Sequence, residues 1–239
     1  MLTHTKAIVL SALKYGDTSL IVKAYTQTDG LKSYLLKGVL ASKKGKLKAA
    51  LFQPLTQLEL VANHKNKGTL ESIREAKVYF PYKTIHAEIL KNSLVLFLAE
   101  LLTNVLQESD ADPSLFKYLE QSLQLLDKTD KLGHYHLLFM LQLSKYLGFY
   151  PEDTEEVLDY FDLLEGQFIA SPSLNPLIEK PIIYDFKRLL GINFDALPQI
   201  TITKTNRQEL LKKLLLYYEL HVHGFRQPKS LAVLNAVFN

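Results

Sequence analysis

Between Gly30 and Leu58 the chain has no Asp or Glu, yet it carries Lys32, Lys37, Lys43, Lys44, Lys46 and Lys48. Ammonium groups gathered without counter-charges attract a polyanion, because each phosphate neutralised releases condensed counterions. The lysines concentrate in K-G-V-L-A-S-K-K-G-K-L-K (37–48). Its glycines, serine and alanine leave no periodic apolar face, so the stretch reads as a loop between strands. Lys14, near the end of the first apolar run, extends the cationic set. Tyr25, Tyr34 and Phe52 flank the basic segment. Aromatics interleaved with lysines are what single-stranded nucleic acid requires: planar platforms for bases and cations for phosphates. Phe52 reads better as core, whereas each tyrosine suits either a platform or the interior.

Other chemistry is hard to place. The chain contains no phosphate-cradling glycine loop, no H-E-x-x-H and no G-x-S-x-G. Without cysteine there is no disulfide, thiolate zinc site or cysteine nucleophile. The pairs His134/His136 and His221/His223 are spaced i,i+2 in expected helices, which turns their rings to different faces. The segment E-D-T-E-E-V-L-D-Y-F-D-L-L-E (152–165) has seven acids and no base. Val157, Leu158, Phe161 and Leu164 fall on one side of it, so it reads as an amphipathic, solvated helix rather than a metal site. These residues predict a non-enzyme with no cofactor and no metal.

Charge divides the chain. Residues 1–80 hold thirteen Lys/Arg against five Asp/Glu, and the remainder holds fifteen against twenty, so a basic module precedes an acidic one. The basic part reads as short strands at 5–14, 19–26, 31–39, 56–60 and 69–79, separated by Tyr15-Gly16-Asp17, Thr28-Asp29-Gly30, the lysine loop and the turn 63–68. Five short antiparallel strands in about eighty residues fit an OB-fold β-barrel. After Pro81 the apolar spacing becomes helical. Helices are expected from about 85 to 105, from the Asp112-Pro113 cap onward, and over 131–147, 152–165, 182–190, 206–222 and 228–238. The fold class is therefore α+β and multidomain: an OB-fold nucleic-acid-binding domain over 1–80, then an all-α helical domain over 81–239. No run approaches a membrane span and no signal peptide opens the chain, so it is expected in the cytoplasm. An RNA-binding or ribosome-associated OB adaptor, or a protein-only scaffold, would share these features.

Several landmarks in order resemble the bacterial recombination mediator family RecO. They are A-I-V-L-S-A-L-K-Y-G-D-T-S-L-I-V (7–22), T-D-G-L-K-S (28–33), K-G (37–38), Q-P (53–54) and L-L-K-K-L-L-L-Y-Y-E-L-H-V-H-G-F-R-Q-P-K-S-L-A-V-L (210–234). Many members insert a four-cysteine zinc module after an L-G-F-x-P element. Here Leu147-Gly148-Phe149-Tyr150-Pro151 is followed by the acidic segment, so 149–181 is expected to be a metal-free insertion in which Phe161, Leu164 and Phe168 replace metal by packing. The resemblance implies binding of single- and double-stranded DNA, strand annealing and, with RecR, loading of RecA onto strands coated by single-strand-binding protein, in the nucleoid. Lys14, Lys32, Tyr34, Lys37, Lys43, Lys44, Lys46 and Lys48 are then the expected DNA-binding set. The acidic, apolar-ended tail of single-strand-binding protein would need a greasy pocket rimmed by cations. Arg207, Lys212, Lys213, Tyr217 and Arg226 are its expected site.

Overall fold

The computed structural model describes residues 1–41, 47–65, 67–106, 110–152 and 158–238. Two compact units divide the chain: Met1–Lys128 with Pro228–Ser230, and Thr129–Gln227 with Leu231–Asn239.

In the first unit, strands β1 (Leu2–Tyr15), β2 (Ser19–Thr26), β3 (Gly30–Leu36), β4 (Gln57–Asn63) and β5 (Ser72–Val78) form one antiparallel sheet in the order β3-β2-β1-β4-β5. β1 is long enough to serve two partners: its first half pairs with β4 and its second with β2. The sheet closes on itself where Glu71 bridges to β3, donating its amide to the Ser33 carbonyl (2.8 Å) and accepting from the Leu35 amide (2.9 Å). Closure removes the exposed edges and makes the expected OB-fold barrel. Ala7, Val9, Leu20, Val22, Ala24, Leu36, Phe52, Leu58 and Leu60 fill it, which confirms Phe52 as core. Leu55 sits at φ 61°, costly for a side-chain-bearing residue. The Gln53–Thr56 turn is pinned there: the Leu55 amide donates to Val9, and its carbonyl accepts from the Tyr82 hydroxyl.

Helices α1 (Ile89–Val105) and α2 (Pro113–Lys128) belong to the same unit. Asp112 caps α2 by accepting from the Ser114 and Leu115 amides, as its position before Pro113 predicts. Because α1 packs on β1, Ile8 and Leu10 are buried as fully as the barrel-facing residues. The Asp127 carboxylate on α2 accepts from the amides of Lys83, Thr84 and Ile85, and buried Lys91 donates to the Asp127 carbonyl. That clamp fixes the connection between barrel and helices.

The second unit packs α3 (Tyr135–Leu147), α4 (Ile182–Leu189), α5 (Lys204–His221) and α6 (Leu231–Val237) with a small sheet. Gly148 ends α3 in the left-handed region at φ 82°. Helix α5 buries Leu210, Leu211, Leu214, Leu215, Tyr217 and Tyr218 on a broad face. Strands β6 (Tyr160–Asp162), β7 (Gln167–Ile169) and β8 (Leu177–Ile178) lie in the order β7-β6-β8.

The helix expected over 152–165 is therefore corrected: residues 153–157 lie outside the described residues, and the rest forms β6 and a turn. The reason is local. Gly166 takes φ 71° and its amide donates to the Asp162 carbonyl, while the Asp162 carboxylate accepts from the Leu164 and Glu165 amides. An acid counted as solvated is instead buried and organises a turn. Phe161 packs against Phe168 (5.0 Å between centroids), Phe186 (4.9 Å) and Tyr217 (5.7 Å), but Leu164, expected in the same cluster, points into solvent at 45% exposure.

Candidate nucleic-acid interface

Strand alternation assigns the two faces of β1, β2 and β3. Leu20, Val22, Ala24 and Leu36 face the barrel interior, so Ile21, Lys23 and Leu35 face out. Along β1 the pairing register shifts between Val9 and Ser11. A bulge adds one residue and reverses the alternation beyond it. Ala12 consequently turns inward, and Leu13 and Tyr15 turn out, with exposures of 63% and 56%. Cross-strand register then builds rows on the outer surface: Tyr15 beside Ser19, Leu13 beside Ile21 beside Leu35, and Ser11 beside Lys23 beside Ser33. An exposed phenol ring and an apolar row are adjacent on a rigid sheet, a surface on which flat bases can stack.

Cations surround one end of this surface. Lys14 shares a row with Leu20 and Leu36, and Lys37 follows Leu36 directly, so both lie at the barrel end that carries Tyr15. The chain leaving β3 is strapped to the β1–β2 turn by the Leu40 amide, which donates to the Thr18 carbonyl (2.9 Å). Leu47 returns to pack on the core, and Lys48 precedes the 3-10 turn Ala49–Phe52. The described end of the lysine loop that leaves β3 is thus held beside the turn that follows Lys14 and Tyr15. Lys43, Lys44 and Lys46 themselves lie outside the described residues.

Two expected members do not join this group. Tyr34 is fully buried and its hydroxyl hydrogen-bonds His64 Nε2 (2.8 Å), whose Nδ1 meets Asp29 (3.0 Å), so Tyr34 is corrected from base platform to core. Burial, then the Asp29 and Glu71 carboxylates, raise its pKa. It lies on the inward-facing side of β3, opposite Val22. Lys32, half-buried opposite Ala24, is four rows from Leu36 and thus at the far end of the strand from Lys37. Tyr25 does face outward, but α2 covers it: Phe116 stacks on its ring, and the Asp112 amide donates to its hydroxyl.

Alternation within β2 makes Lys23 recoverable from sequence. Leu13 and Tyr15 are not recoverable so simply, because the bulge reverses their phase. Elsewhere on the barrel, a groove of about 480 Å³ is lined by His4, Lys6, Glu59, Glu75 and Lys77, and Lys6 is paired with Glu120 (2.9 Å). Its alternating charges suit phosphate less well than the surface around Tyr15.

The first eighty-two residues match the family model "Recombination protein O N terminal", and residues 86–232 match "Recombination protein O C terminal". The chain belongs to the RecO family. Relatives named "DNA repair protein RecO" include those of Christiangramia forsetii, 53% identical over 238 residues, and Flavobacterium psychrophilum, 43% identical over 239 residues. That of Phocaeicola vulgatus is 36% identical over 243 residues. Each alignment spans the whole of both chains. The RecO resemblance drawn from the ordered landmarks is thereby confirmed, with the barrel before the helices.

The residues expected to receive a partner tail do not converge. Tyr217 is buried, its hydroxyl donating to the Phe149 carbonyl (2.6 Å), which corrects its assignment to an accessible site. Its phenol pKa is raised by burial. Lys212 pairs with Glu209 (3.1 Å), and Lys212 and Arg226 are exposed while Lys213 is half-buried. Helical spacing turns Lys212 and Lys213 away from Arg207. Arg207 lines a small pocket with His136, Leu211, Leu234 and Phe238.

Proposed function

We propose that this RecO-family chain is a non-enzymatic DNA-binding mediator of recombination in DNA repair, and that single strands bind the outer surface of β1–β3. The observation that carries this reading is the exposed Tyr15 beside the Leu13–Ile21–Leu35 row, at the barrel end where Lys14, Lys37 and the start of the lysine loop meet. Bases stack on the sheet while Lys14, Lys23, Lys37, Lys43, Lys44, Lys46 and Lys48 hold phosphates. Duplex DNA engages the same lysines through its backbone, and two single strands held by mobile phosphate contacts can find their register and anneal. In this reading RecR acts with the chain to load RecA, in the cytoplasm at the nucleoid, and the tail of single-strand-binding protein docks at Arg207. No helix among the described residues is long and apolar enough to cross a membrane.

Competition between single-stranded DNA, duplex DNA and structured RNA at physiological salt tests the class, together with annealing of complementary oligonucleotides. DNA binding with accelerated annealing is expected. Preference for structured RNA would favour an RNA adaptor, and no nucleic-acid binding would leave a protein scaffold.

A further inference from the structure

The pocket at Arg207 already contains a group of the kind it would recognise. Arg207, in the first turn of α5, donates from Nη2 to the Phe238 carbonyl (2.8 Å). The Phe238 ring lies 5.9 Å from that of His136, and Leu211 on α5 adds apolar lining that does not belong to α6. His136 is buried. Burial, followed by the charges of Arg207 and His134, lowers its pKa to about 3, so it is neutral at pH 7 and Arg207 supplies the positive charge. An aromatic ring against an apolar lining, with its oxygen on a guanidinium, is the contact that an apolar residue followed by a carboxylate would make. The carboxylate would make it more strongly, since its oxygen is charged.

The segment that brings Phe238 there is lightly held. Helix α6 has seven residues, fewer than a helix needs to persist alone in water. Leu234 is its one buried residue, and Val233 is 47% exposed. Ser230, just before α6, is fixed by its amide and hydroxyl donating to the Glu100 carboxylate (2.9 and 3.0 Å), and beyond that anchor the segment rests on Leu234, the Phe238 ring and the Arg207 bond.

We propose that α6 and Phe238 are a displaceable internal occupant of the Arg207 pocket, and that an acidic peptide ending in an apolar residue and a free carboxylate binds by lifting them. This regulation rests on the tail-docking reading above. If the pocket is open about one-tenth of the time, apparent affinity is about tenfold weaker than that of the bare pocket, and removing the occupant recovers up to that factor.

The test titrates a fluorescent peptide with an acidic sequence and a C-terminal Phe carboxylate into the full chain, the F238A variant and the R207A variant. Hydrogen exchange of residues 231–238 is followed in parallel, and exchange protection of α3 and α5 serves as a control for folding of the second unit. Binding about three- to tenfold tighter in F238A, weakened at least tenfold in R207A, with exchange in α6 accelerated by peptide, is the expected result. L234A, which loosens α6 without touching Phe238, should also tighten binding. Peptide binding of equal strength in wild type, F238A and L234A, with α6 protection unchanged or increased, would overturn the occupant while leaving tail docking intact. Failure of every variant to bind the peptide would overturn both.

Discussion

Replacing Asp162 by Ala removes the group that holds the small sheet of the second unit together. Its carboxylate, 2% exposed, accepts from the Leu164 amide (2.9 Å), the Glu165 amide (3.1 Å), the Ser173 hydroxyl (2.7 Å) and the Asn175 side-chain amide (3.0 Å). A hydrogen bond to a charged group contributes about 1.5–3 kcal/mol net, yet four such terms do not add here. Ser173, Leu164 and Glu165 are exposed, so their donors regain water once the carboxylate is gone. What remains is the disordering of two turns and a small cavity beside Phe161, together about 2–3 kcal/mol. D162N keeps the shape and loses the charge, and should cost about half as much. Burial opposes ionisation of Asp162, but the donors from Ser173, Glu165, Asn175 and Leu164 outweigh it and lower its pKa. A lowered carboxyl pKa gives stability that is fully present above the unfolded value of about 3.9 and is lost as pH falls through the folded value. The difference between wild type and D162N should therefore be constant near pH 7 and shrink below about pH 4. Urea denaturation at pH 7 and pH 3.5, read by hydrogen exchange over residues 160–178, measures both quantities. A D162A penalty under about 0.5 kcal/mol, with exchange in these strands unchanged, would refute the assignment, because it is at the level of ordinary surface substitutions.

Four further outcomes are expected. Asp127→Ala should destabilise the first unit by about 2–4 kcal/mol, since three amides at Lys83–Ile85 and buried Lys91 lose or loosen their anchor, and a guanidinium melt reads the change. Tyr34→Phe should cost about 1–2 kcal/mol by unpairing His64, with single-stranded DNA affinity unaltered, whereas Tyr15→Ala should leave the melt unchanged and weaken DNA binding about five- to one-hundred-fold. A strong chelator should not move the melting temperature of the cysteine-free second unit, and stoichiometric zinc lost together with structure would contradict the role given to Asp162.

Much of the fold is legible in local pattern. Period-two alternation marks β2 and β4, Asp112-Pro113 announces the start of α2, and Gly148 the end of α3. Each of these signals is complete within a few residues. The misses share the opposite property. Tyr25 has the right strand face for a base platform and loses it to a helix ninety residues later in the chain. Tyr15 is on the wrong face by simple alternation and gains the right one from a bulge whose only sequence trace is a slipped phase between Val9 and Ala12. The acidic run at 152–165 has a helical apolar stripe, but Gly166 and the Asp162 turn convert its end to a strand three residues long, too short for periodicity to register. Arg207, Lys212 and Lys213 are neighbours in sequence, and helical geometry separates them.

The central claim is that single strands are held by the lysines and the exposed face around Tyr15. If about four to six phosphates are neutralised, log K for single-stranded DNA falls with log salt at a slope of roughly −3 to −4. Changing Lys43, Lys44, Lys46 and Lys48 together to Glu should flatten that slope and weaken binding at least tenfold, with the melting temperature retained. A folded quadruple variant that binds with wild-type affinity and an unchanged salt slope would contradict the account.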